Sequence, residues 1–463
     1  MFKKALYLHY RNAHYGNNHF DNKKTFIMKF YNREKELALL QKIETRSQKS
    51  AQMTFVVGRR RIGKTSLLIK ATANETCVYM FIAKKNEALL VSELLEEVQF
   101  KLGVELFGSF KTFKDLFGYL MELSQTRHFT LLIDEFQEFL STNPSIYSDM
   151  QNIWDTKKGG SKINLILCGS IYSLMNKIFE NSKEPLFGRA TQRIHLKSFS
   201  ITTLKEILAE HHPAYTSEDL LAFYMITGGV AKYVELLIEA EAYTLDAILD
   251  EIFSDNSNFL DEGKNVLIDE FGKDYGNYFS ILSLIASSKT SRVEMESILE
   301  MQIGGFLDRL ENDFGIISKV RPILSKPNTR SVKYKMNDNF LSFWFRFIYK
   351  YRGAIETGQL EYVKKIVLRD YTMYSGALLE KYFIEKMLTE DNFSAIGTYW
   401  EKANLNEIDI VAVNDYEKRL IIAEVKRQAG NINMEELKQK ATSLVCKLKD
   451  YHVEYRGLSM LDM

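Results

Sequence analysis

The run MTFVVGRRRIGKTSLLIK constrains this chain more than any other stretch. Gly58, four residues, then Gly63-Lys64-Thr65 satisfy the pattern G-x-x-x-x-G-K-[ST], and the flanks suit it. Met53–Val57 reads as a β-branched strand and Ser66–Ala71 as an apolar-periodic helix. Strand, glycine loop and helix in that order make a phosphate cradle. Glycines let backbone N–H groups curl around an anion, and the helix N-terminus adds partial positive charge. On this reading Gly58, Arg59, Arg60, Arg61, Ile62, Gly63, Lys64, Thr65 and Ser66 bind ATP. Lys64 reaches the β/γ-phosphates, and the Thr65 hydroxyl ligates Mg²⁺.

FTLLIDEF (129–136) supplies the partner, an apolar strand ending in two carboxylates. Asp134 is placed to hold Mg²⁺ through water, and Glu135 to orient and deprotonate the attacking water. The bland alternative for the pair is a helix cap. NLILCGS (164–170) is another buried strand ending in a small polar residue, which makes Ser170 the candidate γ-phosphate sensor. In EPLFGRA (184–190), Arg189 is either a γ-phosphate arginine, in cis or on a neighbour's site, or a surface arginine paired with a carboxylate. The in-trans option would require assembly, so an oligomer stays open. Strands at 53–57, 77–83, 129–134, 164–169 and 191–196 alternate with helical segments, predicting an α/β fold with a parallel doubly wound sheet. Helical segments from about 200 to 250 predict a lid.

At 463 residues the chain exceeds one core, so several domains are expected. Lys+Arg 61 against Asp+Glu 60 gives no global basic bias, so any nucleic-acid contact needs a local patch. Three scattered cysteines (Cys77, Cys168, Cys446) suit reduced buried thiols and a cytoplasmic location. No apolar run approaches the roughly 18–20 residues of a membrane span, so no membrane association is expected. Residues 1–28 form an unperiodic leader without an apolar signal core, and Met28 is a candidate start.

Together, FYNREKEL (30–37), GRRRIGKTSLL, LLIDEFQ, LILCGS, PLFGRA and TGGVAKYV resemble the archaeal-type ATPases, a branch of the AAA-like and STAND-related P-loop NTPases. The resemblance covers about 29 to 430 and implies that Asn32 and Arg33 pack near the nucleotide base. The resulting division is leader 1–28, P-loop ATPase core 29–198, helical lid 199–265, winged helix with aromatic linker helix 266–352, and a small α/β restriction-endonuclease-like domain 353–463.

Residues 275–336 read as three short helices and a hairpin, the order of a winged helix. Asp308, Glu311 and Asp313 on the third helix would repel phosphates, whereas the wing carries Arg321, Lys326, Arg330, Lys333 and Lys335. Double-stranded DNA is therefore expected, if at all, at the wing and the C-terminal domain, against a purely structural winged helix. Six aromatics in NFLSFWFRFIYKY (339–351) read as core between domains.

NEIDIVAVNDYEKRLIIAEVK (406–426) reads as two strands carrying Asp409, then Glu424 and Lys426 on one face. An amphipathic helix (378–388) precedes them. Asp-x(14)-Glu-x-Lys on adjacent strands is the layout of a restriction-endonuclease-like site. Asp409 and Glu424 would ligate Mg²⁺, and Lys426 would position the nucleophile. The resemblance adds Glu380 as a further metal carboxylate. The alternative is a charged solvent face on an edge strand. Two functions follow: an Mg²⁺-dependent ATP hydrolase that couples nucleotide state to a DNA-binding or nuclease-like domain, or a STAND-type switch whose second half only binds partners.

Overall fold

The computed structural model describes residues 30–105, 110–326, 328–402 and 405–463; the leader 1–28, Met28 as a start, and Pro327 of the expected wing lie outside them. Strands β1 (Gln52–Val57), β2 (Cys77–Phe81), β3 (Phe129–Asp134), β4 (Ile163–Cys168) and β5 (Gln192–His195) pair in parallel in the order β2-β3-β4-β1-β5. Every residue of β3 and β4 is buried, as their unbroken apolar runs require of strands covered on both faces. Because the pairing is parallel, the loops after β1, β3 and β4 leave from one edge of the sheet, where α/β sheets bind ligands.

Helices Ile201–His211, Ser217–Thr227, Ala231–Glu239, Leu245–Ile252 and Asn258–Phe271 follow. The 217–227 helix is buried from Asp219 to Thr227, which its nearly all-round apolar sequence demands. Next come Tyr275–Ala286, Arg292–Leu299 and Gly304–Asp308, the last running into a π-turn at Arg309–Asp313 where a continuous helix was expected. Strands β6 (Ile317–Val320) and β7 (Lys333–Met336) then pair antiparallel. The aromatic run is helical over Asn339–Phe343 and π-wound over Trp344–Tyr349, with Phe343, Trp344, Phe345 and Phe347 fully buried.

The expected 378–388 helix is the last part of a 31-residue helix, Leu360–Glu390. Its hydrophobic faces change along its length, so a single amphipathic stripe reveals only one end. Strands β8 (Ala395–Tyr399), β9 (Ile408–Asn414) and β10 (Arg419–Val425) are joined by β11 (His452–Leu458), in the order β11-β10-β9-β8. β11 pairs parallel to β10 after the helix Met434–Lys447. Sequence reading missed it although HVEYRG alternates polar and apolar residues, the period of a half-buried strand.

Candidate nucleotide site and a second acidic site

β1 delivers the chain to Gly58, where a Cβ would stand 2.7 Å from the Leu196 carbonyl oxygen. Gly63 takes φ +91°, a conformation glycine adopts freely, and the following helix starts at Lys64. Arg61 holds φ +73°, a costly position for a residue with a side chain. The buried Lys64 donates from Nζ to the carbonyls of Gly58 (2.7 Å) and Arg59 (2.9 Å), inside the loop it would serve. Thr65 Oγ1 donates to Asp134 Oδ2 at 3.0 Å, and the Tyr79 hydroxyl donates to the same oxygen at 3.0 Å. A hydroxyl and a carboxylate in contact are the hard oxygen donors that Mg²⁺ takes, so these residues fit the ion.

Glu135 follows β3 in the left-handed region at φ +56°. Its Oε2 accepts from Ser170 Oγ at 2.5 Å and from Gln137 Nε2 at 2.8 Å. Gly169 makes this approach feasible, since a Cβ there would lie 2.3 Å from Gln137 Oε1 and 2.4 Å from Met175 Sδ. A cleft of about 250 Å³ opens beside the loop, lined among others by Arg60, Lys84, Glu135, Ser170 and Glu270. Burial pushes the Glu270 carboxyl above its usual range.

The structure gathers Lys64, Thr65, Asp134, Glu135 and Ser170, but it treats the arginines differently. Arg189 takes the surface alternative: it pairs with Asp155 at 3.1 Å and donates to the Phe187 carbonyl. Arg33 is buried, donates to the Lys197 carbonyl at 2.8 Å and lies over the Phe199 ring, while Asn32 donates to Thr203; they anchor the entering chain to the segment after β5 and to the 201–211 helix.

The three loop arginines assigned to the nucleotide each reach a protein partner far downstream. Glu262 grips Arg61 in a fork at 2.8 and 3.0 Å. Arg60 donates to Asp269 (3.1 Å) and to the Asn265 carbonyl (2.9 Å). Arg59 donates to Asp338 (2.9 Å) and to the Gly315 carbonyl (2.6 Å), the two ends of the β6–β7 hairpin. Glu270, on the same 258–271 helix, caps the segment after Ser170 by accepting from Tyr172 N and Ser173 Oγ, both at 2.9 Å. Sequence reading missed Gln137, Glu262, Asp269, Glu270 and Asp338 because nothing local marks them.

In the C-terminal sheet, Asp409 Oδ2 accepts from the Val425 amide at 2.8 Å. Lys426 Nζ lies 2.6 Å from Glu424 Oε1 and 3.5 Å from Asp409 Oδ2, and Lys440 Nζ stands 3.8 Å from the same Glu424 oxygen. Burial raises the Asp409 carboxyl, and it works against charge on Lys426, which Glu424 and Asp409 nevertheless hold above its usual range. Among the described residues no three or more acidic, histidine or cysteine side chains are grouped to hold an ion. Lys426 supplies positive charge beside Asp409 and Glu424. Glu424 Oε2 is buried without a hydrogen-bond donor among the described residues, so this pair still fits a cation through two carboxylates. Burial, then the Asp409 charge, pushes the Glu380 carboxyl up to about 7.

The β6–β7 hairpin and its loop, expected to form a wing, are not wholly free. Lys333 pairs with Glu407 at 2.9 Å and sits over the Trp400 ring, Trp400 Nε1 donates to Ser331 Oγ at 2.7 Å, and the Ile323 amide donates to the Thr398 carbonyl at 3.0 Å. Arg321, Lys326, Arg330 and Lys335 remain exposed.

Residues 30–237 match the family described as an ATPase domain predominantly from Archaea, and residues 344–442 match a family of archaeal and bacterial proteins of unknown function. An uncharacterized protein of Methanocaldococcus jannaschii is 28% identical over 410 residues, covering 86% of this chain and 87% of that protein. Among solved structures, a Walker-type ATPase of Pyrococcus abyssi is similar in fold, with a TM-score of 0.52 at 17% identity, covering 68% of this chain and 96% of that one. No described helix is long and apolar enough to cross a membrane. The parallel sheet and its glycine loop thus fall within the stretch similar to the archaeal ATPase domain family, and the C-terminal stretch is similar to the second family.

Proposed function

We propose that this protein binds and hydrolyses ATP with Mg²⁺ and passes the nucleotide state to its C-terminal domain. The observation that carries the first part is the joining of Thr65 to Asp134 beside a Glu135 already oriented by Ser170 and Gln137. Lys64 exchanges the carbonyls of Gly58 and Arg59 for β/γ-phosphate oxygens, a change of partners that needs no new buried charge. Glu135 takes the proton of the attacking water, and Ser170 holds the carboxylate in line. Mg²⁺, when bound at Thr65 and Asp134, neutralises charge building on the phosphate oxygens. Arg59 and Arg61 connect the loop to the hairpin and to the 258–271 helix, which supports transmission of the nucleotide state.

For the C-terminal domain, a restriction-endonuclease-like site acting on DNA is supported by the facing of Asp409, Glu424 and Lys426 and by the donorless Glu424 oxygen. The second reading, a STAND-type switch without nuclease chemistry, is favoured by the hairpin loop resting on β8. Lys64→Ala is expected to abolish ATP binding, and Glu135→Gln to keep binding while losing turnover; unchanged turnover in either contradicts the ATPase reading. Mg²⁺-dependent plasmid cleavage with and without ATP, comparing wild type and Glu424→Ala, separates the two readings. Equal products from both proteins remove the nuclease assignment.

A further inference from the structure

Arg60 lines the same cleft as Glu135 and Ser170, on the loop that would wrap the phosphates. The loop's other two arginines are differently committed. Arg61 is held in a two-point fork by Glu262, which is only 5% exposed. Arg59 bridges Asp338 and the Gly315 carbonyl. Moving either would strip a largely buried carboxylate of its counter-charge, which is costly.

Arg60 is held loosely by comparison. Its ion pair with Asp269 has both side chains more than 40% exposed, and its other acceptor is a backbone carbonyl. Exposed pairs of this kind contribute little, and water can replace either member. Arg189, the arginine expected at the γ-phosphate, is paired with Asp155. The cleft itself is rich in carboxylates, with Glu135, Glu138, Asp269 and Glu270 on its walls. A nucleotide γ-phosphate entering it meets repulsion unless cations turn inward, and Arg60 is the guanidinium on the cleft wall.

We infer that Arg60 is a cis-acting arginine for the γ-phosphate: it leaves Asp269 and the Asn265 carbonyl when ATP binds, and contacts the transferring phosphoryl group next to Glu135. This inference rests on the ATPase reading and goes beyond it by naming the cation that distinguishes ATP from ADP. The phosphoryl group leaves ADP and bonds to the water oxygen, with the water proton passing to Glu135; Arg60 stays protonated and only donates hydrogen bonds. Asp269 then serves as the resting place of the arginine between turnovers.

The test compares wild type, Arg60→Ala, Arg60→Lys and Asp269→Asn in calorimetric titrations with ADP and a non-hydrolysable ATP analogue, alongside steady-state hydrolysis. Arg60→Ala is expected to bind ADP within about threefold of wild type, to lose its preference for the analogue over ADP, and to lower kcat at least about 100-fold. Arg60→Lys recovers part of the preference, since charge without the fork suffices partly. Asp269→Asn keeps the preference, because it frees the arginine. Wild-type kcat and preference in Arg60→Ala overturn the inference, as does equal loss of ADP and analogue binding, which marks a structural role in the loop. If wild type binds neither nucleotide, the ATPase reading itself falls; if Glu135→Gln is inactive while Arg60→Ala is not, only the Arg60 assignment falls.

Discussion

Gly263→Ala is the substitution through which the coupling helix can be tested most directly. Gly263 lies on the 258–271 helix, one residue from Glu262, and faces Trp344. A Cβ there would meet Trp344 Cδ2 at 2.2 Å, Cε3 at 2.5 Å and Cε2 at 2.6 Å. The indole must retreat by about 1 Å or more to reach ordinary contact. It has nowhere to go: it is fully buried, donates to the Leu260 carbonyl at 2.9 Å, and packs against Phe279, Phe345 and Tyr349. Replacing a helical glycine with alanine favours the helix by about 1 kcal/mol. Overpacking costs about 1–3 kcal/mol or more, and a lost indole hydrogen bond about 1 kcal/mol. The balance is destabilising by about 2 kcal/mol. The helix is also displaced from the loop, so Glu262, Asp269 and Glu270 lose alignment with Arg61, Arg60 and Ser173. Urea unfolding followed by far-ultraviolet circular dichroism should show a lower midpoint with an unchanged slope, and the ATP KM should rise. Trp344→Leu should cost stability in wild type yet cost less in the Gly263→Ala background, where it relieves the clash. A Gly263→Ala protein at least as stable as wild type, or strictly additive double mutants, would refute the packing argument.

Two further outcomes follow from other parts of the molecule. Burial, opposed by Thr130 and reinforced by the Glu44 charge, pushes the Glu75 carboxyl from 4.5 to about 7. The folded state thus holds that proton more tightly than the unfolded one, so this contribution to stability is present below about pH 4.5 and is lost as pH rises to about 7. Glu75→Gln should be more stable than wild type at pH 8 by about 1–2 kcal/mol, allowing for partial exposure, and similar at pH 4; parallel stability curves would contradict this. Arg59→Ala removes the tie between the phosphate loop and both ends of the β6–β7 hairpin and leaves the largely buried Asp338 without its counter-charge, and should cost about 2–3 kcal/mol. Hydrogen exchange should quicken at β6 and β7 while β3 and β4 stay protected, and uniform protection would show the tie to be idle.

Motifs with local chemistry were legible from residue order. The loop at 58–65, the Asp134-Glu135 pair, and the alternation that sets Glu424 and Lys426 on one strand face all act within a few residues of one another. The parallel sheet was readable for the same reason, since fully buried strands must be apolar throughout. Features that depend on remote partners were not. Arg189 and Arg60 look alike in sequence, yet one pairs with Asp155 while the other lines the cleft with Glu135. Lys333 reads as a wing cation, and folding sets it against Glu407 and Trp400.

The sequence by itself therefore determined that this chain has a phosphate loop, the carboxylates to work with it, and a second acidic and basic cluster near its end. Such features are written into short-range spacing. Only the tertiary structure decided which arginine faces the cleft, that the 258–271 helix and the β6–β7 hairpin both hold the loop, and that Lys426 stands between Asp409 and Glu424. These are matters of which charge finds which partner, and burial and packing across some 200 residues of chain settle them.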